Sequence, residues 1–292
     1  MGIRNNEKIH AAVFIIPSFL FICFFSLIPI AMNVFFSFTK YNVIQKPSWV
    51  ALANYFRLIK DPYVIVSFKN TIVYMLMTVP VQTILSMVLA VVLAELFRNS
   101  FGEFIRGTLF IPVIASSILV GTLWALLFFS HDGLLNQFLA LLGVKSINWL
   151  GARETALLSV SIVTVWKNIG YYLVIFYAGI MDISVTLYEA ARVDGASGIQ
   201  RFFHITVPSL KKITYMVITL GTIWSFQVFD TVFIMTKGGP GMSTITMVLT
   251  IYNAAFKEYN MGYASSIALL MLFFILLLSI GQKLLMRDGS EE

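Results

Sequence analysis

Residues 189–208, EAARVDGASGIQRFFHITVP, form a polar, glycine-punctuated segment between two long apolar runs. Two local signals organise it. Thr186-x-x-Glu189 and Ser197-x-x-Gln200 both have capping-box form, in which a hydroxyl and a carboxylate or amide satisfy the free amides at a helix start. Asp194-Gly195 stands between them and favours a sharp turn, because glycine tolerates positive φ. The pattern predicts a hairpin over 184–204: a short helix, a turn and a second short helix. Pro208 then suits the first turn of the helix that follows.

The flanking runs set the environment. The chain has 292 residues, of which 59% are hydrophobic and only 12% charged, and its mean hydropathy is +0.86. That leaves too little polar surface to coat a soluble globule of this size, so the chain belongs in a bilayer. A spanning helix needs about 20 apolar residues. Four charge-free windows meet this, and two more contain one charge each, Lys167 and Asp230. The expectation is an all-α polytopic membrane protein, one transmembrane domain over 1–292. Its six spans fall near 11–38, 71–97, 105–130, 155–181, 209–236 and 260–284.

Arg4 and Lys8 before the first span resemble the start of a secretory signal, but the apolar run is too long for one and no A-x-A cleavage site follows. It reads as a retained helix bent at Pro17 and Pro29. With the N-terminus inside, ten Lys and Arg fall on the cytoplasmic side and nine outside, five of these in the loop 40–69. Both termini and the hairpin are then cytoplasmic, although the charge bias barely chooses. The net charge of +6 is spread through loops without a basic stripe, which gives nucleic-acid binding no support. Cys23, the one cysteine, forms no internal disulfide and reads as packing within the first span.

From pattern alone the hairpin could be a plain amphipathic loop. Its residues break the tie. Glu189, Ala190, Ala191, Asp194, Gly195, Ala196, Phe202, Ile205 and Pro208 stand in the order and spacing of the EAA loop, and the segment resembles that signature of permease subunits of ATP-binding-cassette (ABC) importers. Trp166-Lys167-Asn168-Ile169-Gly170 and Phe176-x-Ala178-Gly179 resemble the fourth span of the carbohydrate-uptake branch. Phe229-Asp230 and Thr236-Lys237-Gly238-Gly239-Pro240 resemble its fifth span and outer loop. The similarity is to the first permease of maltose and glycerol-phosphate type systems and runs from the first span to the sixth. Ser184 departs from it, standing where the family usually has proline.

The resemblance implies a type I importer permease fold in a bacterial or archaeal cell membrane. It implies import of a sugar or sugar derivative delivered by an extracytoplasmic solute-binding protein, with a second homologous permease and an ABC ATPase dimer as partners. The hairpin would be the coupling element, its residues Glu189, Ala190, Ala191, Arg192, Asp194, Gly195, Ala196 and Arg201 meeting the ATPase; lipid headgroups are the other reading for the arginines. The outer loops 41–70, 131–154 and 237–258 would help dock the binding protein, although Trp49, Tyr55 and Phe56 suit an interfacial aromatic belt equally well.

Charges inside spans are costly, about 2.5–3.5 kcal/mol each at a helix centre, so Lys167 and Asp230 should face protein or water. Together with Trp166, Asn168, Tyr171, Trp224 and Gln227 they are the candidates for the solute path. Pairing of Lys167 with Asp230 is the structural alternative. An ion-coupled secondary transporter using the same two charges is the functional one. No P-loop string is present: the run 238–244 lacks the lysine before its hydroxyls, so ATP is expected on partner subunits and no cofactor on this chain. No H-E-x-x-H or G-x-S-x-G string occurs, so an enzyme is not expected. His10, His131 and His204 lie far apart, and no metal site is expected either.

Overall fold

A computed structural model describes residues 13–130 and 133–285 and is dominated by helices. Arg4, Lys8, His10, His131, Arg287 and residues 11–12 of the expected first span lie outside the described residues. The chain divides into two compact units, one of residues 13–61 with 250–272 and one of 62–249 with 273–285.

In the first unit, α1 spans Val13–Ser37, and its most apolar window has no buried residue. Its irregularity falls between the two prolines, where Cys23–Leu27 form a π-turn and the Ile28 amide reaches the Cys23 carbonyl five residues back. Pro29 then opens the regular helix Ile28–Ser37 at a position where its missing N–H costs nothing. A two-residue ribbon follows, β1 (Thr39–Lys40) antiparallel to β2 (Ser48–Trp49), with Thr39 opposite Trp49. Helix α2 (Ala53–Lys60) is tied to it by Asn54 Nδ2, which donates to the carbonyls of Ser37 at 2.8 Å and Thr39 at 3.0 Å. Tyr263 donates its hydroxyl to Asp61 at 2.6 Å, and the Arg57 guanidinium lies 3.9 Å over its ring. Trp49 and Phe56 are exposed, as an aromatic belt requires, whereas the Tyr55 hydroxyl is engaged by Ser37 at 2.7 Å.

In the second unit, α3 runs Pro62–Leu96 and starts nine residues before the expected span at 71–97. Lys69, the charge that set the expected limit, is exposed near the start of this helix. The buried face of α3 is polar for most of its length: Ser67, Thr71, Tyr74, Thr78, Gln82 and Ser86 recur every three or four residues. Several of these hydroxyls bond back to the carbonyl one turn earlier, which satisfies them inside the helix.

Helix α4 (Ser100–Ile114) and helix α5 (Ser117–Leu127) replace the single span expected at 105–130, and they meet at 97°. Pro112 removes one hydrogen bond from the last turns of α4, and Ala115 and Ser116 are extended. After the short α6 (Leu134–Leu141), α7 runs Arg153–Met181 and packs closely along α3. Gly170 is required where α7 crosses α4, since a Cβ there would lie 2.1 Å from the Leu109 carbonyl oxygen. The inner part of this unit is an apolar cluster that includes Ala90, Leu93, Tyr172, Phe176, Leu210 and Val217.

The hairpin contains α8 (Val185–Val193) and α9 (Gly198–Arg201), followed by a π-turn Phe202–Thr206. The expected span at 209–236 is broken: α10 covers Lys211–Phe226, residues 227–229 are irregular, and α11 covers Asp230–Met235. Helix α12 (Met247–Tyr252) leads to α13 (Met261–Leu285), where the last span was expected. Among the described residues, four helices are thus long and apolar enough to cross a membrane, five if the bent pair is one span, against the six spans expected.

Candidate functional site

The two breaks in the second unit meet the same cavity. Its volume is about 150 Å³, and its wall includes Ser117, the first residue after the α4–α5 bend, and Gln227–Thr231 of the break between α10 and α11. Irregular backbone inside a bilayer is tolerated where it is buried in protein or lines a wet cavity, because its unpaired amides and carbonyls need partners that lipid cannot supply. Broken helices around a polar cavity are also how transporters present backbone and side-chain donors to a solute.

Of the seven residues expected along the solute path, Lys167, Asn168, Trp224, Gln227 and Asp230 line this cavity. Lys167 and Asn168 come from the middle of α7, Trp224 from the last turn of α10, Gln227 from the break and Asp230 from the first turn of α11. Trp166 and Tyr171 do not line it. Trp166 turns aside to pack edge-on against Trp124, with ring centroids 5.4 Å apart. Tyr171 stands behind the wall with its ring 5.0 Å from Trp224.

Sequence reasoning missed the contribution of α3. Tyr74 and Gln82 line the cavity, with Thr164 and Ser225 facing them from α7 and α10. Tyr74 donates to Thr164 at 2.7 Å, and the hydroxyls of Thr78 and Ser225 lie 3.1 Å apart, so the polar seam of α3 is knitted to both neighbours. The seam has a gap at its centre. Gln82 Oε1, in a residue 2% exposed, has no hydrogen-bond partner, whereas the buried Tyr172 hydroxyl has the Gln82 side chain as its neighbour. A buried polar atom left unpaired costs about 1–3 kcal/mol, and Gln82 lies on the cavity wall. The signal was present in the sequence: Thr71, Tyr74, Thr78, Gln82 and Ser86 fall on one helical stripe, with Gln82 its only amide.

The hairpin is built differently. Helix α8 ends in a Schellman turn: the Ala196 amide bonds the Ala191 carbonyl at 2.8 Å and the Gly195 amide bonds the Arg192 carbonyl at 3.1 Å. Gly195 sits at φ +76°, which glycine adopts without strain. The Ser197–Gln200 capping box is present in both directions, at 3.3 and 2.7 Å. The Thr186–Glu189 box is not: α8 begins after Ser184, whose hydroxyl pairs with that of Thr186 at 2.7 Å and caps no amide. Thr186 is already inside the helix. Pro208 likewise falls in the single turn Val207–Ser209, just before α10.

Glu189, Ala190, Arg192, Asp194 and Gly195 are exposed, while Ala191, Ala196 and Arg201 are half-buried. Arg201 donates to the Ala196 carbonyl at 2.9 Å and holds the second arm against the turn. The hydroxyls of Tyr188 and Thr206, 2.9 Å apart, tie the two arms at their base. At the tip Val193 is 88% and Ile199 72% exposed, large apolar side chains beside a rigid turn. Such a surface suits contact with another protein.

A model of the family described as binding-protein-dependent transport system inner membrane component matches residues 67–288. A probable ABC transporter permease protein, YurN of Bacillus subtilis, is 35% identical over 291 residues, covering 99% of each chain. The trehalose/maltose transport system permease protein MalF of Thermococcus litoralis is 32% identical over 279 residues, covering 95% of this chain and 92% of that one. The fold is also that of a chain in the crystal structure of a bacterial ABC transporter involved in alginate import. The TM-score is 0.85 at 18% identity, covering 99% of this chain and 100% of that one.

Proposed function

The chain belongs to the family of binding-protein-dependent transport system inner membrane components, transport proteins rather than enzymes, and from that premise we propose the path and the lever by which it works. It is the transmembrane subunit of an ATP-driven ABC importer for a sugar or sugar derivative. An extracytoplasmic binding protein delivers the solute, and a second, homologous permease closes the path. Two ABC ATPase subunits hydrolyse the ATP, and both termini of this chain are cytoplasmic. The sugar class rests on relatives whose names specify trehalose/maltose and arabinooligosaccharides.

The observation that carries the reading is the meeting of two helix breaks at one polar cavity, walled by Asn168, Lys167, Gln227, Asp230 and Gln82. Amide and hydroxyl groups exchange hydrogen bonds with sugar hydroxyls, and the face of Trp224 suits the apolar face of a sugar ring. The hairpin 184–208 is the lever. Its apolar tip docks on an ATPase subunit, and closure of the ATPases biases the permease between outward- and inward-open states.

The test is ATP-dependent uptake. The purified complex in liposomes, given its binding protein and a panel of maltose, trehalose and arabinooligosaccharides, accumulates at least one of them. Asn168→Ala with Gln227→Ala abolishes accumulation while the complex still assembles. Undiminished uptake by an assembled double variant removes these residues from the path.

A further inference from the structure

The polar cavity presents one positive and one negative side chain. Among the described residues that line it, Lys167 and Asp230 carry the charge, and the rest of the wall is amide, hydroxyl, aromatic or apolar. They come from different elements, Lys167 from the middle of α7 and Asp230 from the first turn of α11, just past the break. Lys167 is half-buried and Asp230 exposed, so an occupant can reach both heads. Each is a costly group to place in a membrane helix, yet together they leave the wall with no net charge.

Such a wall sorts solutes by their own charge. A sugar hydroxyl both donates and accepts, so one hydroxyl of an uncharged sugar can donate to the Asp230 carboxylate while the oxygen of another accepts from the Lys167 ammonium. Hydrogen bonds to ionised groups are the stronger kind, and an uncharged polyol can use both. A carboxylate, sulfonate or phosphate on the sugar is attracted by Lys167 and repelled by Asp230. It gives up its hydration to a wall whose charges cancel, so nothing replaces what it loses.

We propose that the cavity selects uncharged sugars over acidic ones, and that Asp230 is the residue that turns the acidic ones away. This rests on the reading of the cavity as the solute path, and it narrows that reading from sugars in general to those without an ionised group. The discrimination comes from an unfavourable contact with the rejected solute as much as from a favourable one with the accepted solute.

The test uses the purified complex without its binding protein, so that the selectivity measured belongs to the membrane subunits. Saturation-transfer NMR titrations give dissociation constants for glucuronamide and glucuronate, and for galacturonamide and galacturonate, pairs that differ by an amide in place of a carboxylate. In the better-bound pair the unaltered complex prefers the amide by about tenfold or more. Asp230→Asn leaves Lys167 unopposed and reverses the order, the carboxylate then binding about tenfold more tightly, the effect of one charge-assisted hydrogen bond. Lys167→Gln leaves Asp230 alone and widens the original preference. The ratio in the unaltered complex needs no variant to fold. Equal affinities within each pair, or an order that Asp230→Asn does not move, overturns the proposal and leaves the solute path standing. Binding of none of the four compounds overturns it as well, and uptake then decides the path reading separately.

Discussion

The cavity and the hairpin reach function by opposite structural routes. At the hairpin, regular elements closed by standard caps present an exposed surface: a Schellman turn at Gly195, a capping box at Ser197 and an apolar tip at Val193 and Ile199. At the cavity, regular structure stops. Residues 227–229 leave the helix, the α4–α5 bend opens at Ala115 and Ser116, and a buried amide oxygen, Gln82 Oε1, stays unpaired. A part that transmits force needs a rigid, self-satisfied backbone. A part that takes up a polar solute inside a membrane needs groups that its own fold leaves unsatisfied.

The largest effect is expected where the rigid turn is destroyed. Gly195→Pro forces φ from +76° to about −65°, a change worth about 3 kcal/mol or more where it is resisted. Solute-stimulated ATP hydrolysis falls roughly a hundredfold while the chain still inserts in the membrane, because the turn lies in the hairpin. Normal coupling in that variant would erase the distinction between lever and path.

Next come single polar losses on the cavity wall. Asn168→Ala and Gln227→Ala each raise the solute concentration for half-maximal uptake about five- to tenfold, the effect of one hydrogen bond of about 1–1.5 kcal/mol. Tyr171→Ala has a smaller effect, since Tyr171 stands behind the wall. An equal effect at Tyr171 would place its ring in the path.

Gln82→Leu separates the regions most cleanly. Removing a buried amide with an unpaired oxygen leaves the thermal stability of the complex unchanged or raises it, while uptake slows by about fivefold. A loss of stability with normal uptake would make Gln82 a structural strut. The smallest effect is at the caps: Ser197→Ala costs the hairpin about 1 kcal/mol and lowers coupling about twofold, whereas Thr186→Ala changes neither. Both are read from ATP hydrolysis by the reconstituted complex.

The same contrast decides what the sequence made legible. The hairpin could be read because its signals are local: Asp194-Gly195 and Ser197-x-x-Gln200 fix a turn and a cap within a few residues. Thr186-x-x-Glu189 misled because Ser184, two residues earlier, ends the extended backbone first. The spans were legible as apolar runs, but their continuity was not. Pro112 gave a warning of the bend, whereas Phe226-Gln227-Val228-Phe229 contains no proline or glycine to announce a break, and tertiary packing around the cavity decides it. Lys167, Asn168, Gln227 and Asp230 stood out as polar groups in apolar windows. The stripe from Thr71 to Ser86 did not, because hydroxyls in a membrane helix usually satisfy themselves on their own backbone.

The most direct measurement joins both regions: cysteines placed at Val193 of the tip and in the facing groove of a co-purified ATPase, in a complex whose solute-stimulated ATP hydrolysis is followed before and after cross-linking. The two cysteines should link, and locking them should hold stimulated hydrolysis at its basal rate until the disulfide is reduced. A chain that co-purifies with no ATPase yet moves sugar in liposomes, or a cross-linked complex that still responds fully to solute, would contradict the account.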